Sequence, residues 1–254
     1  MMKSKLLPLI VVLVVAVAPM AFSSATAAHE FYLDSSHVDL VHILAPPPVP
    51  GSPAGKADLQ AVLDAQRTRT PAEVASAQVD AQISVFRFAD VMGPGFKPEN
   101  LPFATTFFAH VVADGRHPID IVKAYFNRPR PFVADLEVKP IVHEPANASY
   151  PSGHATFAYV AAIILADMVP EKSAAIFDRA ARFSHNRVVA GVHYPTDVEA
   201  GRICGSVIDD VLLNDPNFMV DFIKARSEVR HALGLNERPI GTASIGMNQT
   251  AGLK

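Results

Sequence analysis

The sequence predicts an all-α fold, a single-domain helical bundle. Apolar residues recur at three-four spacing in one segment after another, and Pro and Gly cut the chain between those segments. No convincing run of alternating polar and apolar residues, and no internal repeat, interrupts that pattern.

The chain opens with basic Met1-Met2-Lys3-Ser4-Lys5, an apolar run from Leu6 to Met20, and a small-x-small pattern at Ala25-Thr26-Ala27. These are the three parts of a secretory signal peptide, expected over 1–27. The apolar run is shorter than the roughly 20 residues of a spanning helix, so a cleaved leader is expected rather than an anchor. The domain then covers 28–254, periplasmic or secreted, with no membrane association once the leader is gone. Residues 29–55 read as irregular, because Pro46-Pro47-Pro48 and Pro50-Gly51 oppose a helix. Leu59, Val62 and Leu63 form a short apolar stripe. Thr70-Pro71-Ala72-Glu73 reads as a capping box with Pro at the first helical position, opening a helix expected to run toward Met92. Gly93-Pro94-Gly95 stops it.

Two helices follow at about 101–113 and 118–126, divided by Asp114-Gly115. The clearest begins at Ser152, with Phe157, Val160, Ala161, Ile164, Leu165 and Met168 on one expected buried face, and ends at Pro170. Further helices are expected over 171–189, from Asp197 to about 213, and from Pro216 to Gly234. The tail 235–254 is Gly- and Ser/Thr-rich and reads as loose or used in assembly. One cysteine, Cys204, permits no internal disulfide, so packing alone must hold the fold. A net charge of −3 argues against a nucleic-acid partner, which wants a basic surface.

The chemistry is concentrated in three ordered blocks within 123–197. Lys123 is followed after six residues by Arg130-Pro131; Pro151-Ser152-Gly153-His154 comes next; Arg187, His193 and Asp197 close the set. Cations, histidines, a carboxylate and a Gly-containing turn at a helix start suit a phosphoryl group. Helical spacing puts Arg187 in register with Ala180 and Ile176, Asp197 with Cys204 and Ile208, and His154 with Phe157 and Ala161. Charged side chains on buried stripes need partners or a shared ligand. Taken singly, each has an ordinary explanation: a snorkelling Arg, a salt-bridged helix start, an N-cap and turn. Those explanations do not account for three blocks in order.

Other signals are weaker. Asn147-Ala148-Ser149 matches a glycosylation sequon of a kind common by chance. His110, His117 and His143 lack metal-ligand spacing, so no metal site is expected, and His185 receives no role.

These blocks resemble the superfamily of acid phosphatases, lipid phosphatases and vanadium haloperoxidases, and within it the bacterial class A non-specific acid phosphatases. The resemblance covers roughly 95–215, and Ala45-Pro46-Pro47-Pro48 also looks like the secreted class A enzymes. One departure is Asn186, where the family usually has Ser; retuning rather than loss is expected. The resemblance implies a helical bundle that hydrolyses small-molecule phosphate monoesters, with possible phosphate transfer to other acceptors, needs no cofactor or metal, and forms a homo-oligomer. It implies that Lys123, Arg130, Ser152, Gly153 and Arg187 bind the phosphate. It further implies that His193 is the nucleophile, Asp197 orients it, and His154 is the acid and base. Selectivity would lie in the loops 92–103 and 132–150.

Three other readings use the same residues. A vanadate-dependent haloperoxidase would bond His193 to vanadium, but the chain is short and its entry segment phosphatase-like. A lipid phosphatase usually carries spanning segments, which are missing here. A periplasmic phosphate-binding protein needs no Asp-oriented His and normally alternates strands with helices.

Overall fold

The structure, a computed structural model, describes residues 31–34 and 38–237. The expected signal peptide and 238–254 of the expected tail lie outside the described residues. Helices α1 (Leu40–Ile43), α2 (Pro53–Thr68), α3 (Pro71–Val79) and α4 (Ala89–Met92) lead into α5 (Pro102–Asp114), α6 (Arg116–Phe126) and α7 (Pro131–Ala134). Then come α8 (Gly153–Met168), α9 (Ser173–Val189), α10 (Pro195–Leu213) and α11 (Pro216–Ala232). The described residues hold no strand, as the all-α reading expects. No helix among them is long and apolar enough to cross a membrane.

Helix α8 is the centre of the bundle, packed between α9 and α10. The expectation of a single buried face is too narrow: Ala155, Ala158, Ala162 and Ala166 are buried as well as the predicted stripe. Small side chains let neighbours approach this helix from several sides. At Gly201 on α10, an added Cβ would lie 2.5 Å from the Ser152 carbonyl oxygen and 2.7 Å from the Ala155 Cβ. Gly205, one turn on, meets the Thr156 carbonyl oxygen in the same way, at 2.8 Å. These two glycines bring the start of α10 against the start of α8, where the sequence placed its functional residues. Phe88, Phe107, Phe183 and Phe218 fill the surrounding core.

Three expectations are corrected. The Thr70–Glu73 capping box forms, but α3 ends at Val79 rather than near Met92. The buried carboxylate of Asp80 accepts N–H groups from Arg179 and Asn186, and the Ala81 carbonyl accepts from His154 instead of from a helical amide. The chain therefore turns, and restarts under a Ser84 cap as a 3-10 turn over Val85–Phe88. Second, 29–55 is not wholly irregular: Asp39 caps α1, and Ser52 caps α2 with Pro53 at its first position. Third, the tail begins docked, since the Asn236 carbonyl accepts two N–H bonds from buried Arg230, at 2.7 and 2.5 Å.

Candidate active site

Helix ends deliver the three blocks to one place. Lys123 stands in the last turn of α6, whose C-cap, Asn127, takes the left-handed conformation (φ 42°) and turns the chain toward Arg128 and Arg130. Ser152, Gly153 and His154 open α8, Arg187 lies in the last turn of α9, and His193 and Asp197 flank the start of α10. Lys123, Arg130, Gly153, His154, Arg187 and His193 all line one cavity of about 410 Å³. The neighbouring loop contributes too: the Asn147 carbonyl accepts from Arg130 Nε at 2.8 Å, and the Ala148 carbonyl accepts from Lys123 Nζ at 2.6 Å.

Asp197 lies behind the cavity wall with no exposed surface. Its Oδ2 accepts from His193 Nδ1 at 3.2 Å, from Ser149 Oγ at 2.5 Å and from the Tyr194 amide at 2.9 Å. Its Oδ1 accepts from Arg128 Nη1 at 2.6 Å. A proton on Nδ1 shared with the carboxylate leaves the Nε2 lone pair of His193 free toward Arg130 Nη1, 3.1 Å away. His154 has the opposite arrangement. Its Nε2 lies 3.0 Å from the Ala81 carbonyl oxygen, which can only accept, so Nε2 carries the proton and Nδ1 is the nitrogen left to exchange one.

The cations are undercompensated. Arg187 is 2 % exposed, and its buried Nε and Nη1 have no hydrogen-bond partner. Burial and the neighbouring Arg130 push Lys123 down to about 7, and burial pushes Arg130 and Arg187 down to about 10, Arg130 adding to the effect on Arg187. Burial, then Arg187, takes His154 down to about 3, and His193 is held well below its usual range by burial and the same cations. A buried donor without a partner costs about 1–3 kcal/mol. Arg187 meets that cost in the free protein at two nitrogens.

Of the expected binding residues, Ser152 alone does not line the cavity; its buried hydroxyl caps α8 by accepting from the Ala155 amide at 3.3 Å. Asn186 faces away from the cavity and joins α9 to α3, donating to Asp80 Oδ2 at 2.8 Å and Ser76 Oγ at 2.9 Å. His185 is exposed beside Glu73 and Arg182 on another surface. Among the described residues, no group of three or more His, Cys, Asp or Glu gathers where it could hold a metal ion.

Sequence reasoning missed the residues that hold Asp197 and Arg130. Arg128 bridges Asp197 and the buried Asp58, and its guanidinium lies 3.8 Å from the Tyr194 ring centre. Thr196 bonds both Arg128 and Asp58. The sequon residues are structural: Asn147 Oδ1 accepts from Arg130 Nη2 at 2.7 Å, and Ser149 is fully buried. The doubled Arg-Pro at 128–131 was the available signal for Arg128; Asp58 had none.

A bundle whose helix termini gather three buried cations, one of them with unpartnered donors, and a carboxylate-held histidine around one cavity has the make-up of a phosphate-handling protein. Comparison with known proteins gives the family. The PAP2 superfamily model matches residues 102–217. An acid phosphatase of Zymomonas mobilis is 33 % identical over 206 residues, 77 % of this chain and 77 % of that protein. A non-specific acid phosphatase of Salmonella typhimurium is 29 % identical over 237 residues, 90 % of this chain and 93 % of that protein. The chain belongs to the PAP2 superfamily, among relatives named acid phosphatases. A crystal structure of a bacterial vanadium-dependent iodoperoxidase shares the fold, with a TM-score of 0.54 and 20 % identity over 67 % of this chain and 52 % of that one.

Proposed function

We propose that this phosphatase hydrolyses phosphate monoesters through a phosphohistidine on His193, outside the cytoplasm and without a metal. The observation that carries the reading is Arg187: a buried guanidinium with Nε and Nη1 unpartnered, on the same cavity as Lys123, Arg130 and His193. Such a site is complete only with a tetrahedral anion in it.

The ester phosphate docks on Lys123, Arg130, Arg187 and the Gly153 amide at the α8 N-terminus. Its negative charge raises the proton affinity of His154, whose Nδ1 takes up a proton. His193 Nε2 attacks phosphorus; the P–N bond forms as the P–O ester bond breaks, and His154 Nδ1–H protonates the departing oxygen. Asp197 holds the resulting positive charge on His193, as the carboxylate does in a serine-protease triad. Water, giving a proton to His154, then attacks phosphorus and breaks the P–N bond. An alcohol in place of that water yields phosphate transfer, and the Met1–Ala27 pattern is the support for export.

Rapid quenching with labelled ester tests the reading. The expected result is an acid-labile, base-stable phosphoryl label that disappears in His193→Ala and accumulates in His154→Ala, with turnover indifferent to EDTA. Label on another residue, or activity lost to EDTA and restored by a divalent ion, overturns it.

A further inference from the structure

The cavity is larger than phosphate requires. About 410 Å³ falls within the roughly 300–1,000 Å³ that houses a whole small-molecule ligand. Its extra space has a direction. From Lys123 the α6 lining runs back through Asp120 and Ile119 to Arg116, and from Gly153 the α8 lining runs forward through Phe157 to Val160. Seven residues of helix span about 10 Å, so both walls extend that far beyond the cations. The side chains along this length are Ile83, Val111, Val112, Ile119, Phe157 and Val160, together with Thr156, whose hydroxyl already donates to the Ser152 carbonyl oxygen at 3.0 Å. Polar groups on the same stretch are sparse: Arg116 and Asp120 are exposed, at the rim, and Ile83 is 37 % exposed, at the mouth.

We propose that this arm is a leaving-group subsite for an apolar alcohol, an unbranched alkyl chain or an aryl ring, and that it selects such esters over sugar phosphates. The inference rests on the phosphatase reading. Its occupant follows from continuity: whatever is esterified to a phosphate held by Lys123, Arg130 and Arg187 must leave along these walls. A sugar there would bury hydroxyls against Val, Ile and Phe with no partners, whereas a hydrocarbon gains from the same contact.

The n-alkyl monophosphates from methyl to hexyl test the subsite, because their leaving groups differ little in acidity. Each methylene should raise kcat/KM about two- to fourfold until the arm is filled. Hexyl phosphate should then far exceed glucose 6-phosphate. The matching alkylphosphonates, measured by titration calorimetry, read the arm without turnover and should tighten with the same slope. Val160→Thr should flatten both slopes, and Ile83→Asn, at an exposed mouth position, does the same if the first variant fails to fold. A flat series, a preference for glucose 6-phosphate, or slopes untouched by either variant overturns the proposal. Phosphonates that tighten with length while no ester turns over keep the subsite and remove the phosphatase reading.

Discussion

His154 is held by a carbonyl 73 positions away in the chain: its Nε2 donates to Ala81 O at 3.0 Å. Ala81 follows directly on Asp80, whose buried carboxylate receives Arg179 Nη2 at 2.6 Å, Arg179 Nη1 at 3.0 Å and Asn186 Nδ2 at 2.8 Å. The turn that cuts α3 short is therefore also the support that sets the tautomer and tilt of His154.

Weakening that support should affect proton donation more than binding. Asp80→Asn keeps the shape but removes the charge that anchors Arg179. Alkyl phosphates, which need a protonated leaving oxygen, should lose about tenfold or more in kcat, and p-nitrophenyl phosphate much less. Equal losses on both substrates would mean that Asp80 supports only the fold. Asp80→Ala should also unfold more readily, since it leaves both Nη groups of the buried Arg179 guanidinium without the carboxylate they donate to.

Arg130 and Arg187 should trade stability against activity. Lys at either position keeps the charge but loses the planar fork, so activity should fall about ten- to a thousandfold. Arg187→Met removes a buried cation that lacks partners and should stabilise the free protein by about 1–2 kcal/mol while abolishing turnover. Thermal unfolding without added anion provides the check, and a lower midpoint for Arg187→Met would contradict the unpaired state.

Anion binding should draw in protons, and two pH windows separate their sources. Lys123 sits near 7 when folded and ordinarily near 10.5, so its folding penalty is fully present below about 7 and fades as pH rises toward 10.5. His154, near 3 when folded and ordinarily 6.5, penalises folding fully below about 3 and fades by about 6.5. A bound anion offsets the repulsion from Arg130 and Arg187 and should raise both values. Sulfate carries no titrating proton of its own at these pH values. Its calorimetry in buffers of different ionisation heat should show uptake at pH 8 that vanishes in Lys123→Met. At pH 5 the uptake should vanish in His154→Ala. Sulfate binding with no proton uptake in either window removes the electrostatic account.

Gly201→Ala tests the closeness of α8 and α10. The new Cβ meets the backbone oxygen of Ser152, which cannot swing away as a flexible side chain can. The expected cost is about 1–3 kcal/mol, which lowers the unfolding midpoint by about 2–4 °C per kcal/mol in a chain of this size. Activity should fall as well, because the strain separates His154 at one helix start from His193 at the other.

Much of this was legible in the sequence because it is local chemistry. A three-four apolar period, a Pro at the first position of a helix, a Gly pair after it, and charged residues on buried stripes act within a few residues of one another. They predicted α5, α6, α8, α9, α10 and α11 within a few residues at each end, and they marked Lys123, Arg130, His154, Arg187, His193 and Asp197 as one set. The early stop of α3 was not legible, because the bond that ends it comes from His154, more than seventy positions away. Asp58 was invisible for the same reason: an acid in an ordinary helix gains meaning only when Arg128 and Thr196 arrive beside it. The sequence by itself determined the long helices of the bundle's second half and the identity of the reactive groups. The tertiary structure decided which cation goes unpaired, which nitrogen of each histidine is free, and how far the apolar walls extend. Those properties depend on burial and on partners distant in the chain, and the spacing of residues along a helix carries no record of either.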